Sequence, residues 1–383
     1  MSAPIPWRLS MPFEQPTVRS AAVIAMHLID IADAIDLSNA EVLWEQQRGS
    51  TSMRSKLGST PPKAVAFGVP PVLLKLDPLE LSLQEQVCRA EVTARLYDFG
   101  AVAFSVRIPV ASCSWAAFSQ RVNAVDALLG PGADSPIWEQ LLQQLRTALL
   151  PALSKPNAAS LHEDYLLGIV HAFEEAVPAP TLHEQVDLVP LLSGEQRALS
   201  EQARRDLLQH RFSYYADDLV VLTWDRAFIY EPRGDSDVVD ILEVANAQLL
   251  EMRFYDELLD AELPRMYDMV EAAHHASNPL ASRRFADLAR GLYTLVAEVT
   301  EITEKVDNAL QVTEDVYLAR VYASALDLFR VSRVSDAVDR KLAIIRDTYT
   351  ALYEEASGKR AELLEVAIIV LIVVEIVIAV YRH

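Results

Sequence analysis

Apolar positions fall into three regimes along the chain. From about residue 20 to 235 they form short runs separated by turn-forming residues. Ala21–Leu37, AAVIAMHLIDIADAIDL, reads as a strand followed by a short helix. Ala64–Val69 and Pro71–Leu76 are brief apolar runs split by a Pro-Pro pair, and Glu91–Val110 holds two strand-like runs around Gly100. Ser114–Leu150 has helical spacing, interrupted by the GPGADSP turn at 130–136. Asp164–Phe173 is another strand, and Leu219–Pro232 reads as a hairpin turning at Asp225–Arg226. Strands and helices mixed in this order predict an α+β head domain over residues 1–235. Before and within it, a proline-broken arm and a polar Gly/Ser/Pro stretch at 46–63 read as loops.

After Gly234 the period changes from two to three-and-four. Asp237 onward is helical in pattern, with Pro264 expected to kink or end the helix and 277–282 marking a turn. A second long helix then carries Leu328, Val331, Ser335, Val338, Leu342, Ile345, Tyr349 and Leu352 at alternating spacings of three and four, the a/d rule of a coiled coil. This predicts a helical hairpin stalk over 236–360, its seam packing within the chain or between chains.

The third regime is a nearly continuous apolar run, Leu363–Tyr381. At 1.5 Å per residue it would extend about 28 Å, close to the roughly 30 Å hydrocarbon core of a bilayer. Lys359 and Arg360 precede it, and Arg382 follows it. Glu365 and Glu375 interrupt it; a charge at a helix centre costs about 2.5–3.5 kcal/mol, whereas the Leu, Ile and Val residues of 366–380 together return roughly 4–7 kcal/mol. A single C-terminal transmembrane helix over 361–383 is therefore expected, with the N-terminal domain on the cytoplasmic side, or the matrix side in an organelle. An ionisable residue inside a span is a functional candidate by default, which singles out Glu375.

Composition narrows the partners. A formal net charge of −20 disfavours nucleic acid and a flat anionic lipid surface. Cys88 and Cys113 lie too far apart for a C-x-x-C motif and read as two small buried side chains in a reducing compartment. The N-terminus lacks the apolar segment of a signal peptide. No phosphate-binding loop, dinucleotide fingerprint, zinc-protease helix or nucleophile elbow is present. His171 with Glu174 and Glu175, the carboxylates Asp217, Asp218 and Asp225, the pair His274–His275, and the acidic group Asp256, Glu257, Asp260 and Glu262 were the remaining candidates for metal or acid–base chemistry. Each is more simply a strand end, a turn or a solvated face, so no catalytic, cofactor or metal residue is assigned.

Two stretches resemble the sporulation and meiotic nuclear division family: Tyr97–Phe104, YDFGAVAF, and Arg360-Ala361-Glu362 leading to Leu371–Glu375, LIVVE. Ser105 stands where that family typically has Trp. The resemblance implies an oligomeric integral membrane protein with no known catalysis. The expectation is thus a non-enzymatic, membrane-anchored homo-oligomeric scaffold, contacting the bilayer through its tail and an unknown protein through its head. The alternative is an ion-conducting or ion-sensing oligomer. Its layout resembles CorA-type magnesium channels, although those have two spans and a Gly-Met-Asn motif absent here.

Overall fold

The computed structural model describes residues 16–48, 53–54, 65–66, 69–84, 86–133, 135–158, 161–175, 177–234, 237–274, 290–291, 293–294, 296–297, 299–300, 311–312 and 315–381. The N-terminal arm, most of 46–63, and the turn at 277–282 lie outside them. The chain divides into two compact units. One comprises Met1–Glu251 with Asn308–Val331, the other Met252–Asp307 with Ser332–His383.

The first unit is built on a large mixed sheet. Its strands, in chain order, are β1 (Thr17–Asp30), β2 (Ala32–Ile35), β3 (Met53–Arg54), β4 (Val65–Ala66), β5 (Val72–Lys75), β6 (Leu79–Leu83), β7 (Gln86–Leu96), β8 (Ala101–Val110), β9 (Cys113–Ser114), β10 (Leu153–Pro156), β11 (His162–Phe173), β12 (Arg211–Phe212), β13 (Leu219–Leu222) and β14 (Arg226–Tyr230). The spatial order is β12-β13-β14-β11-β1-β8-β7-β5-β3, with β6 added to β7 and β9 to β1; β2 with β10, and β4 with the short strand Gln311–Val312, form separate pairs. All neighbours in the main sheet are antiparallel except β11 and β14.

β1 is central, flanked by β11 and β8. A strand covered on both faces needs apolar residues at every position rather than at alternate ones, which accounts for its unbroken burial from Ala21 to Asp30. The β7–β8 hairpin turns at Gly100, whose φ of +106° lies where side-chain-bearing residues are strained; a Cβ there would also fall 1.7 Å from the Ala32 carbonyl oxygen.

One face of the sheet is covered by α1 (Leu37–Arg48), α2 (Trp115–Leu129), α3 (Pro136–Leu149), α4 (Ala179–Gln185) and α5 (Val189–Ser193); α6 (Glu201–Leu207) follows. α2 starts where the Ser114 hydroxyl accepts from Ala117 N, and it buries Trp115, Phe118, Val122, Val125 and Leu129 at helical spacing. α3 starts with Pro at its first turn and buries Trp138, Leu141, Leu145 and Leu149. Large side chains buried this fully contribute about 1.5–3 kcal/mol each. The opposite face meets α7 (Val238–His274) through Arg95, and the end of the helix Val316–Leu328 through a Tyr165–Phe329 edge contact at 5.3 Å.

The last helix, Val331–Tyr381, corrects the expected stalk and anchor. Leu328 closes the preceding helix, and Phe329 and Arg330 form a break with Arg330 at φ 58°. Leu328 and Val331 therefore sit on different helices, and one coiled-coil seam cannot run through them. Val331, Val338, Leu342 and Ile345 are nonetheless buried within the chain. In the second unit the Lys341 ammonium binds Asp256 at 2.6 Å and Asp260 at 2.7 Å, tying this helix to α7. Tyr349 is half-buried and packs on Tyr293 and Tyr353; the Leu352 side chain lies outside the described residues. A coiled-coil stalk is thus not supported.

Among the described residues no helix is long and apolar enough to cross a membrane. The expected single-pass span, and the membrane location deduced from it, are not supported. The side chains of Lys359, Arg360, Glu365 and Glu375, and all of Arg382, lie outside the described residues. The channel alternative depends on that span and loses its support with it.

Candidate functional site

An open groove of about 790 Å³ runs between α2 and the segment 187–196 in the first unit. Trp115, Ser119 and Asn123 form one row of α2, and Ala116, Gln120 and Ala124 the next. Residues four apart stack along one helix face, so two such rows make a continuous wall, in which Ala116, Ser119 and Ala124 are the small side chains. Asp187, Pro190, Glu195 and Gln196 supply the other wall. Gln84, in the β6–β7 turn with φ 49°, also lines the groove and donates its side-chain amide to Gln120 O at 3.4 Å.

The walls are pinned by specific hydrogen bonds. The Trp115 indole N–H donates to Asp187 O at 3.0 Å, and the Asn123 amide donates to Pro190 O at 3.1 Å. The Asp187 carboxylate accepts from Val189 N and pairs with Arg204.

Arg226 fixes the distance between the walls from below. Its side chain is only 6% exposed. Nη2 donates to Asp126 at 2.6 Å, and Nη1 donates to Asn123 Oδ1 at 2.8 Å and to Leu191 O at 3.0 Å. Asn123 therefore accepts from Arg226 while donating to Pro190, linking β14, α2 and α5 through one amide. Gly194, φ +67°, leaves room for this: a Cβ there would lie 2.4 Å from Arg226 Nη2. A guanidinium presents five donors in a rigid fork, so one arginine can serve three elements at once.

Arg95 is a second buried guanidinium, on the other face. It contacts Asp240 at 2.6 Å and Glu243 at 3.1 Å, and the Tyr97 hydroxyl donates to Glu243 at 2.7 Å. Burial opposes the charge on Arg95, but the Glu243 and Asp240 carboxylates outweigh it and hold the guanidinium protonated. Burial also pushes the Glu243 carboxyl up, with Arg95 pulling against it.

A third polar cluster lies at the β1–β11 pairing. His27 and Asp164 are cross-strand partners joined at 2.6 Å, and His162 faces the other Asp164 oxygen at 3.6 Å. The His27 ring stacks on Trp138 at 4.8 Å. Nearby Asp30 accepts from Asn157, and burial pushes its carboxyl up to about 7, the Asn157 bond opposing.

His171 uses both ring nitrogens: Nε2 faces Arg107 at 3.2 Å and Nδ1 faces Glu231 O at 3.3 Å; Glu174 accepts from Ser112. The three are not brought together around a common point. Asp218 accepts from Tyr214 N and Tyr215 N, and Asp225 from the Thr223 hydroxyl. Within the acidic group, Asp256 and Asp260 share Lys341, and Glu262 pairs with Arg265. His274 has a described backbone only, and His275 lies outside the described residues. Cys88 and Cys113 are free and half-buried, and Arg121 donates to the Cys88 sulfur at 2.8 Å. Among the described residues no three His, Cys, Asp or Glu side chains stand close enough to hold a metal ion.

Arg226 was expected at a hairpin turn but is the first residue of β14 and buried. Its partners lie up to 103 residues away, so no local signal marks it. The groove likewise arises from packing two distant segments.

No solved structure matches the chain. An uncharacterized protein of Methanocaldococcus jannaschii, MJ0711, is 26% identical over 242 residues, covering 63% of this chain and 73% of that protein. The family model described as the N-terminal domain of uncharacterized protein MJ0711 matches residues 20–237. These findings replace the resemblance drawn from YDFGAVAF and LIVVE, and nothing in them points to the sporulation and meiotic division proteins. The matched span holds the sheet, the groove and the whole Arg226 network. The chain belongs to the family of the MJ0711 N-terminal domain.

Proposed function

We propose that the sheet domain is a non-catalytic binding module that holds a segment of a protein partner in the groove between α2 and residues 187–196. The observation that carries this reading is the Arg226 network. A buried arginine with partners in both walls sets the groove's width before anything binds, and preorganisation of this kind lowers the cost of association. The lining suits recognition rather than bond-making. Gln84, Gln120, Asn123 and Gln196 offer amide donors and acceptors, while Ala116, Ser119 and Ala124 allow a backbone to approach closely. The net charge of −20 argues against nucleic acid as the occupant. A second copy of this chain and a different protein both satisfy the reading.

A photo-reactive amino acid placed at Gln120 in the full chain tests it, with Gln143 on the exposed side of α3 as the control. A discrete adduct at Gln120 and none at Gln143 is the expected result, and the adduct's mass separates a second copy from another protein. Equal or no cross-linking at the two positions contradicts the proposal.

A further inference from the structure

A second surface, independent of the groove, lies where the β12–β13 loop meets the start of the helix Val316–Leu328. Tyr214 and Tyr215 are 59% and 49% exposed. Their ring centroids are 4.7 Å apart, edge to face, and Tyr214 lies 5.3 Å from Tyr317. The loop is not loose. Asp218 accepts from Tyr214 N at 2.8 Å and Tyr215 N at 3.2 Å, and the Ser213 hydroxyl donates to Tyr215 O at 2.7 Å. Tyr317 is fixed from below by Asp315, which accepts from Tyr317 N at 2.8 Å and caps the helix.

The surroundings are acidic. Burial and then the charges of Asp218, Glu231 and Asp315 push the Tyr317 hydroxyl up, with Arg320 the opposing charge. Asp217 acts in the same direction on Tyr230, after burial. A cation already uses this surface: the Arg233 guanidinium carbon lies 4.8 Å from the centre of the Tyr215 ring. Aromatic faces carry negative charge density, and carboxylates around them add to the attraction for a guanidinium.

We infer that the Tyr214–Tyr215–Tyr317 cluster is a docking surface for an arginine-bearing segment of a partner protein, and that Arg233 competes with that segment for the Tyr215 ring. Fixed rings accept a planar guanidinium at small entropic cost, and Arg stacks on aromatic faces better than a compact ammonium does. The carboxylates make the surface unsuited to an acidic partner.

The test is titration of the full chain into a fluorescein-labelled peptide of alternating Gly and Arg. It is read by anisotropy at about 0.15 M salt, where the screening length is about 8 Å and diffuse attraction to an acidic protein is weakened. Tyr214→Ala with Tyr215→Ala leaves the net charge unchanged and should weaken binding roughly ten-fold. Tyr215→Phe keeps the ring and should bind within about two-fold of the unsubstituted chain. Arg233→Ala should tighten binding several-fold more than Arg333→Ala, which makes the same change in charge elsewhere. Failure of the peptide to saturate, or equal affinity after loss of both rings, overturns the surface. Equal effects of the two arginine substitutions overturn the competition by Arg233.

Discussion

The two buried arginines of the sheet domain use the same chemistry in different settings. Arg226 lies under the groove, and its partners Asn123, Asp126 and Leu191 fall inside the family-matched span. Arg95 lies on the opposite face, and its carboxylates come from α7, beyond that span. Arg226 hydrogen-bonds the Asp126 carboxylate, an amide and a carbonyl, with the Asp225 carboxylate farther off at 3.7 Å. Arg95 faces two carboxylates, one of them, Glu243, only 5% exposed. The first network spaces two walls, whereas the second clamps a helix to a sheet. Removing either should therefore destabilise the fold, but only one should abolish binding in the groove.

Arg95→Met gives the largest expected effect. It strands Glu243 and Asp240 without a counter-charge, which costs about 3–5 kcal/mol in a buried pair. Denaturant unfolding measures it, and a loss under about 1 kcal/mol would show that the acids simply protonate. In chains still folded, cross-linking at Gln120 should persist.

Arg226→Met should cost less, about 2–3 kcal/mol, because Asp126 and Asp225 are 28% and 22% exposed and can recruit water. It should nevertheless lose the Gln120 adduct. Retention of that adduct would break the distinction between the two arginines.

Gly194→Ala sharpens the comparison further. Its left-handed backbone costs an alanine about 1–2 kcal/mol, and the new methyl also displaces Arg226. In the Arg226→Met background only the backbone part should remain, so the double-mutant cycle should be non-additive. Full additivity would mean that Gly194 and Arg226 do not constrain each other.

Asp30→Asn should have the smallest and most conditional effect. Burial pushes its folded carboxyl up to about 7 from an ordinary 3.8, so the folded state binds the extra proton. Stability from this site is complete below about 3.8 and is lost as pH rises through about 7. The substitution should thus raise the melting temperature at pH 8 relative to pH 5. The opposite trend would show that the charged carboxylate is stabilising.

Much of the sheet was legible because its signals are local. β1 announces itself by the apolar run Ala21–Met26, Gly100 marks the β7–β8 turn, and Ser114 and the 130–136 segment bound α2 and α3, whereas the short helix expected before Leu37 is the strand β2 and helix begins only at Leu37. What failed was periodicity read across a break. Leu328 and Val331 are three residues apart whether or not one helix joins them, so heptad spacing could not reveal the Phe329–Arg330 turn. The apolar run at 363–381 has the length of a span, but it is the end of the 51-residue helix Val331–Tyr381, and among the described residues no helix is long and apolar enough to cross a membrane. The groove was invisible for another reason: Asp225–Arg226 looks polar and turn-like locally, while the partners that bury Arg226 are distant in sequence.

The most direct test fills the groove without touching its supports. Ala116 is exposed on α2, so Ala116→Trp should occupy the space while leaving Arg226 and the core intact. Adduct yield at Gln120 is then compared with the unsubstituted chain, with unchanged circular dichroism as the check on folding. Loss of the adduct is the predicted result. An undiminished yield in a folded Ala116→Trp chain would contradict the groove as the partner-binding site.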